Sequence, residues 1–515
     1  MELCKHGRYS SALDETVLSA LSAFDCPREE LTMHHYIPTF LRRRPLLSWF
    51  ILPLTSYALY RTTMGSPMLS SNLPRYTGQF DVGTIDIEAP CKPRRIGDYC
   101  YKESGEAAFE LETVLFSVFY PSVKGAVSSK PKHRWISNST VTGEGYARFA
   151  NIHNTVTNKI FSAGLHTLVG STTIPAEVDV PLHGTPSSKS EAERKDSLQQ
   201  FPIVIFSHGM ASSRTDYTHY LGEIASRGYV VAAIEHRDGS CPGTSVMLPD
   251  GTSKTVFHTK VSGLRWRGQH ESADIRPVQL EMRQVEVEET LRVLRSIANG
   301  KGSEVYGTNT RGEGGHLASW KGRLNLDMVI MAGHSYGATL ALQALKDAPS
   351  PQFPFKAGIA LDPGKHSGEL NSHINVPILV VHSNTWSKHR SVFFGRPHFD
   401  TVKDLVQGVL DKVGASWFIT SMGTSHPSVT DAPLIEPWLF SWTTSANINV
   451  HEGVRQYVQV GVDFLNFMMT GKKDGLLSEA VTHPQYDNDT RSKERKHEME
   501  HGIGKYWQIH VAPSA

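Results

Sequence analysis

The chain has 515 residues, 39% of them hydrophobic, and a formal net charge of +1. That balance is ordinary for a globular protein and gives no reason to invoke nucleic acid or an acidic polymer as partner. Five cysteines, an odd and sparse set without metal-ligand spacing, read as free thiols of a reducing compartment, although Cys91 and Cys100 could pair.

Residues 1–70 read as an N-terminal extension. The first 30 carry Glu2, Lys5, Arg8, Asp14 and Glu15 and hold no apolar run of the secretory-signal kind. The expected location is therefore cytoplasmic or membrane-associated. Residues 45–60 are mostly apolar and lie between Arg42-Arg43-Arg44 and Arg61. A spanning helix needs about 20 apolar residues, and this run is shorter and broken by Pro53. Two readings stay open. The run either lies in a membrane interface, with Trp49 and Tyr57 at headgroup level, or packs against the domain.

The folded part is expected over residues 75–470. Residues 78–83 form a turn-flanked edge segment, and 114–121 alternate apolar and small residues up to Pro121, as a strand does. The charged stretch 187–200 reads as a solvated insertion. Residues 202–206 and 229–234 are short buried-strand patterns, joined through a helical pattern over 217–226. A long helix is predicted over 277–298, where Leu280, Val287, Leu291, Leu294 and Ile297 recur at helical spacing. Further strands are predicted at 328–332, 357–361, 377–381 and 417–420, and a closing helix at 450–470. Strands alternating with helices indicate an α/β fold with a mostly parallel central sheet and helices on both faces. From residue 471 to 515 the chain is polar and charged and reads as a mobile tail.

Gly333-His334-Ser335-Tyr336-Gly337 is the one G-x-S-x-G in the chain. It sits between the strand pattern 328–332 and a helical pattern over 338–345, the setting in which the motif carries chemistry. A serine on so sharp a turn projects its hydroxyl at the positive end of the following helix. The glycines leave room where side chains would collide.

A serine hydroxyl needs a base and a group that orients the base. In strand–motif–helix folds these follow the serine in the order acid, then histidine, on loops at strand carboxyl ends. The first strand after Ser335 ends in Leu361-Asp362-Pro363-Gly364, which nominates Asp362 as the acid. The loop after the last core strand holds Gly423-Thr424-Ser425-His426, which nominates His426 as the base. With 25 histidines in the chain, order and position carry that choice against His382 and His398. Asp431 is read as structural. The tetrahedral intermediate needs two backbone donors. They are assigned to Tyr336, next to the serine, and to Met210, after the strand-end pair His208-Gly209.

With these residues placed, the chain resembles the platelet-activating-factor acetylhydrolases of the plasma and intracellular type II kind. The likeness is carried by Phe206-Ser207-His208-Gly209-Met210, by 225–238, by the serine motif, by Gly358-Ile359-Ala360-Leu361-Asp362 and by Gly423-Thr424-Ser425-His426. It runs from about residue 78 to 470. It implies an α/β-hydrolase fold and calcium-independent hydrolysis of the sn-2 ester of phospholipids with short or oxidised acyl chains. Tyr336 and Ala338 stand where the family often has Phe and Gly. Pro363-Gly364-Lys365-His366 is less apolar than in the animal enzymes. These departures bear on acyl-chain preference. In the family, the helix corresponding to residues 156–169 helps the enzyme settle on lipid surfaces. Here Ile160, Phe161, Leu165, Leu168 and Val169 fall at helical spacing, a pattern also met in helices packed on a core.

Two other readings share the motifs. One is a carboxylesterase acting on soluble esters with the same three residues. The other is a non-catalytic scaffold of the same fold, which a missing triad member would have favoured. No cofactor is implied. The sequence shows no calcium loop and no Cys/His cluster that would suggest a metal. It is silent on oligomeric state.

Overall fold

The computed structural model describes residues 63, 70–185, 199–267, 274–389, 391–487 and 505–514. The apolar run 45–60 and most of the insertion 187–200 lie outside them. A ten-stranded sheet organises the chain: β1 (Asp81–Arg95), β2 (Glu110–Ser122), β3 (Glu177–Val178), β4 (Phe201–Ser207), β5 (Val230–Glu235), β6 (Leu324–His334), β7 (Phe355–Leu361), β8 (Ile378–Ser383), β9 (Ser416–Ser421) and β10 (Trp507–Val511). Their order across the sheet is β10-β9-β8-β7-β6-β4-β5-β2-β1-β3. The six strands from β9 to β5 are parallel. Strands β10, β2 and β1 add antiparallel neighbours to that block.

Helices cover both faces, as strands buried on two sides require. The helices used below are α1 (Ser139–Phe149), α2 (Thr155–Val169), α3 (Thr218–Ala225), α4 (Arg276–Ser296), α5 (Tyr336–Ala344), α6 (Asn384–Lys388), α7 (His398–Val413) and α8 (Val450–Thr470). Strand β4 shows the two-residue period that divides the core. Ile203 and Ile205 pack with α4, α5 and α7 on one face. Val204 and Phe206 pack with α3 and α8 on the other. The predicted long helix and closing helix are present as α4 and α8.

The polar-tail reading is corrected for its end. Trp507–Val511 is a buried strand, pairing antiparallel with β9 from Phe418 to Ser421. Its apolar side chains enter the core. Its polar ones are bonded, with Trp507 Nε1 donating to Gln456 Oε1 at 2.8 Å and His510 Nε2 lying 2.7 Å from Thr420 Oγ1. Five residues of strand were hidden in composition by the charged run before them. Cys91, Cys100 and Cys241 are free thiols. Among the described residues no helix is long and apolar enough to cross a membrane.

Candidate active site

The carboxyl ends of β6, β7, β8 and β9 form one edge of the parallel block, and each sends a loop to the same place. Strand β6 ends in the glycine-flanked turn. Ser335 adopts φ 57° and ψ −119°, a strained conformation held by its surroundings. A Cβ on Gly333 would lie 2.1 Å from the Gly337 carbonyl oxygen, and one on Gly337 would lie 2.0 Å from the Ser207 carbonyl oxygen. Both contacts are with backbone, so only glycine fits. The Ser335 N–H donates to the Leu361 carbonyl at 2.9 Å, tying the turn to the end of β7.

The structure brings the three nominated side chains together. His426 Nε2 lies 3.0 Å from Ser335 Oγ, and His426 Nδ1 lies 2.8 Å from Asp362 Oδ2. Asp362 is 2% exposed. It also takes the Ser383 N–H on Oδ1 at 2.6 Å and the Ser383 hydroxyl on Oδ2 at 2.7 Å. With its carboxylate so held, the Nδ1 proton of His426 is directed at Asp362 and Nε2 is free to receive the serine proton. Ser335 and His426 are half-buried and so reachable from solvent.

The rejected candidates lie elsewhere. His382 and His398 are buried and face each other, ring centroids 5.6 Å apart. Asp431 caps α3 instead. Its Oδ2 accepts the Thr218 N–H at 2.8 Å and the Thr218 hydroxyl at 2.6 Å, and its Oδ1 accepts the His219 N–H at 2.9 Å. Burial pushes its carboxyl up to about 7 against those bonds.

Tyr336 opens α5, where a backbone N–H has no intrahelical acceptor. Among the described residues the Met210 N–H has no acceptor either, whereas the next N–H, of Ala211, donates to the Ser240 carbonyl at 2.8 Å. Gly209 lies beside the serine, for a Cβ there would be 3.1 Å from Ser335 Cβ. The loop after β4 therefore borders the Ser335 side chain.

Sequence reasoning missed several neighbours. Trp386, on α6, lies flat on the His426 ring, with centroids 4.0 Å apart and planes at 10°. Its Nε1 donates to the Pro363 carbonyl at 3.0 Å. The Lys365 ammonium lies 4.4 Å from the Trp386 ring centroid and donates to the carbonyls of Trp386 and His389, both at 2.8 Å. Tyr217 accepts the Gly209 N–H at 3.2 Å, and its hydroxyl is 2.9 Å from His334 Nδ1. Trp386 follows the end of β8 by three residues, on the same edge as Asp362. That position was the available signal.

His334, Asp362 and His426 present ligand atoms within 4.8 Å of one another. Both ring nitrogens of His426 already face Ser335 and Asp362, so a cation would have to break that chain of bonds. The arrangement fits proton transfer better than metal binding.

Residues 66–493 match the family model described as platelet-activating factor acetylhydrolase, isoform II. The chain belongs to this family. It is 25% identical over 320 residues to platelet-activating factor acetylhydrolase of Cavia porcellus, covering 61% of each chain. It is 28% identical over 317 residues to that of Bos taurus, covering 61% of this chain and 60% of the relative. A putative phospholipase A2 of Schizosaccharomyces pombe is 27% identical over 277 residues, covering 52% of this chain and 57% of the relative. The chain thus spans about three-fifths of the length of these animal relatives. Among solved structures, ferulic acid esterase from Streptomyces cinnamoneus superposes with a TM-score of 0.51 at 16% identity, covering 80% of this chain and 96% of that one. That likeness shows the α/β-hydrolase fold. Within the acetylhydrolase family, the match extends past both ends of the 78–470 stretch on which the resemblance was read.

Proposed function

We propose that this acetylhydrolase-family chain is a calcium-independent serine esterase that cleaves the sn-2 ester of phospholipids with short or oxidised acyl chains. The observation that carries the reading is the unbroken hydrogen-bonded series from Ser335 through His426 to Asp362. Ser335 Oγ attacks the ester carbonyl as His426 Nε2 takes its proton, and Asp362 stabilises the imidazolium. The carbonyl electron pair moves to oxygen, where the Met210 and Tyr336 N–H groups receive it. Collapse of this intermediate breaks the bond to the lysophospholipid oxygen, which takes the proton from His426. Water then adds to the acyl-enzyme with His426 again as base, and the short acid leaves.

Helix α2 supports contact with a lipid surface, since Val156 and Ile160 are 65% and 62% exposed and Leu168 also faces solvent. The expected location is therefore at a membrane surface, reached from solution.

The test is hydrolysis of a phosphatidylcholine series from sn-2 acetyl to sn-2 palmitoyl, without calcium, with Ser335→Ala as control. Serine-dependent turnover falling steeply with chain length is expected. Serine-dependent activity confined to soluble esters would discard the phospholipid substrate. Loss of all activity would favour the scaffold.

A further inference from the structure

Arg283 is a fully buried cation on α4, away from the proposed triad. Its Nε donates to Asp238 Oδ2 at 2.7 Å and its Nη2 to Ser240 Oγ at 2.5 Å. Its Nη1 donates to the His208 carbonyl at 2.8 Å and reaches Ser207 Oγ at 3.3 Å. The guanidinium carbon lies 4.4 Å from the centroid of the Tyr336 ring. Asp238 in turn accepts the Ser240 N–H at 3.0 Å, and the Ser240 carbonyl accepts the Ala211 N–H at 2.8 Å. The loop around Met210 is thus fastened on both sides, at His208 and at Ala211. The same guanidinium presses on the side chain of Tyr336.

We infer that Arg283, paired with Asp238, is the positioning residue of the oxyanion hole, setting the Met210 and Tyr336 backbone donors at one fixed separation. The inference rests on the esterase reading above. Arginine is needed because one planar fork must meet a carboxylate, a hydroxyl and a carbonyl while stacking on a ring. A lysine keeps the charge beside Asp238 but cannot make all four contacts. The hole's donors matter most when charge sits on the substrate oxygen, so their misplacement weakens the transition state and leaves ground-state binding alone.

The experiment compares wild type, Arg283→Lys and Ser335→Ala on a short-chain phosphatidylcholine and on a short alkyl trifluoromethyl ketone. The ketone accepts the Ser335 oxygen at its carbonyl carbon, its π electron pair moves to oxygen, and the serine proton passes to His426. The adduct therefore needs the hole as the transition state does. Arg283→Lys is expected to lower kcat roughly 10- to 100-fold with KM unchanged. The ketone's inhibition constant should rise by the same factor. A fall in kcat with no change in ketone affinity, or no fall at all, would overturn the positioning role. Ketone binding that survives Ser335→Ala would instead overturn the serine reading itself, and the inference with it. If Arg283→Lys does not fold, Tyr336→Leu serves, because it removes the stacked ring and keeps the N–H. The same parallel loss is expected there, and unchanged ketone affinity would refute the role.

Discussion

Trp386 lies face to face on the His426 imidazole, ring centroids 4.0 Å apart. On the proposed mechanism His426 gains and loses a proton while keeping both nitrogens aimed, and a flat neighbour held by its own hydrogen bond to Pro363 limits the ring's rotation. An aromatic pair of this kind is worth about 1 kcal/mol. Trp386→Ala should therefore lower kcat roughly fivefold, while Trp386→Phe should lose much less. Steady-state kinetics on a soluble short-chain ester measure this, and equal losses in the two variants would remove stacking as the cause.

Asp362 and Asp431 are both buried carboxylates near His426 in sequence or space, and they separate cleanly by partner. Asp362 accepts from His426 Nδ1, whereas Asp431 accepts from the first turn of α3. On the proposed mechanism Asp362→Asn should cost on the order of 10³–10⁴ in kcat with little change in unfolding midpoint. Asp431→Asn should do the reverse, lowering the midpoint through its lost cap while keeping most of the turnover. Thermal unfolding and kinetics on both proteins decide it, and similar rate losses in the two would mean that the acid has been misassigned.

The parallel block was legible because its strands are continuous apolar runs closed by turn residues, which leave a pattern in the sequence. Ser335, Asp362 and His426 could be placed because each follows such a run. Most of what escaped notice depends on partners distant in the sequence. Trp507–Val511 is strand only because β9 offers it an edge. Trp386 and Arg283 reach the site across the fold, and their contacts exist only after β8 and α4 have packed. Helix α7 was not foreseen either, although Val402, Leu405, Val406 and Val409 bury one stripe of it.

The glycines around Ser335 should differ in what they break. In Gly333→Ala and Gly337→Ala the new methyl meets a backbone oxygen at 2.1 Å and 2.0 Å. Neither oxygen can move without disturbing the first turn of α5 or the end of β4. Overpacking of this sort costs about 1–3 kcal/mol or more, so both variants should show lowered midpoints or fail to accumulate. In Gly209→Ala the methyl meets Ser335 Cβ at 3.1 Å, a contact that a few tenths of an ångström relieve. That protein should fold with a near-normal midpoint and a reduced kcat. Denaturation curves set beside kinetics test the contrast, and a normal kcat in Gly209→Ala would separate this loop from the reacting centre.

His208 gives a pH dependence whose sign follows from its contacts. Its Nε2 accepts the His236 N–H at 3.1 Å, so that nitrogen carries no proton, and Nδ1, 2.8 Å from the Gly209 carbonyl, donates there. The ring must be neutral to do both. Burial, with the Arg283 cation nearby, pushes its pKa down from 6.5 to about 4. Between those values the unfolded chain takes up a proton that the folded chain refuses. The stability due to this group is therefore complete above about pH 6.5 and is lost as pH falls toward 4. From pH 7 to pH 5 the loss should be about 2 kcal/mol. His208→Gln offers an acceptor that does not titrate, so its urea midpoint should fall less over that interval than that of the wild type. Parallel pH profiles for the two proteins would show that His208 is not the residue responsible.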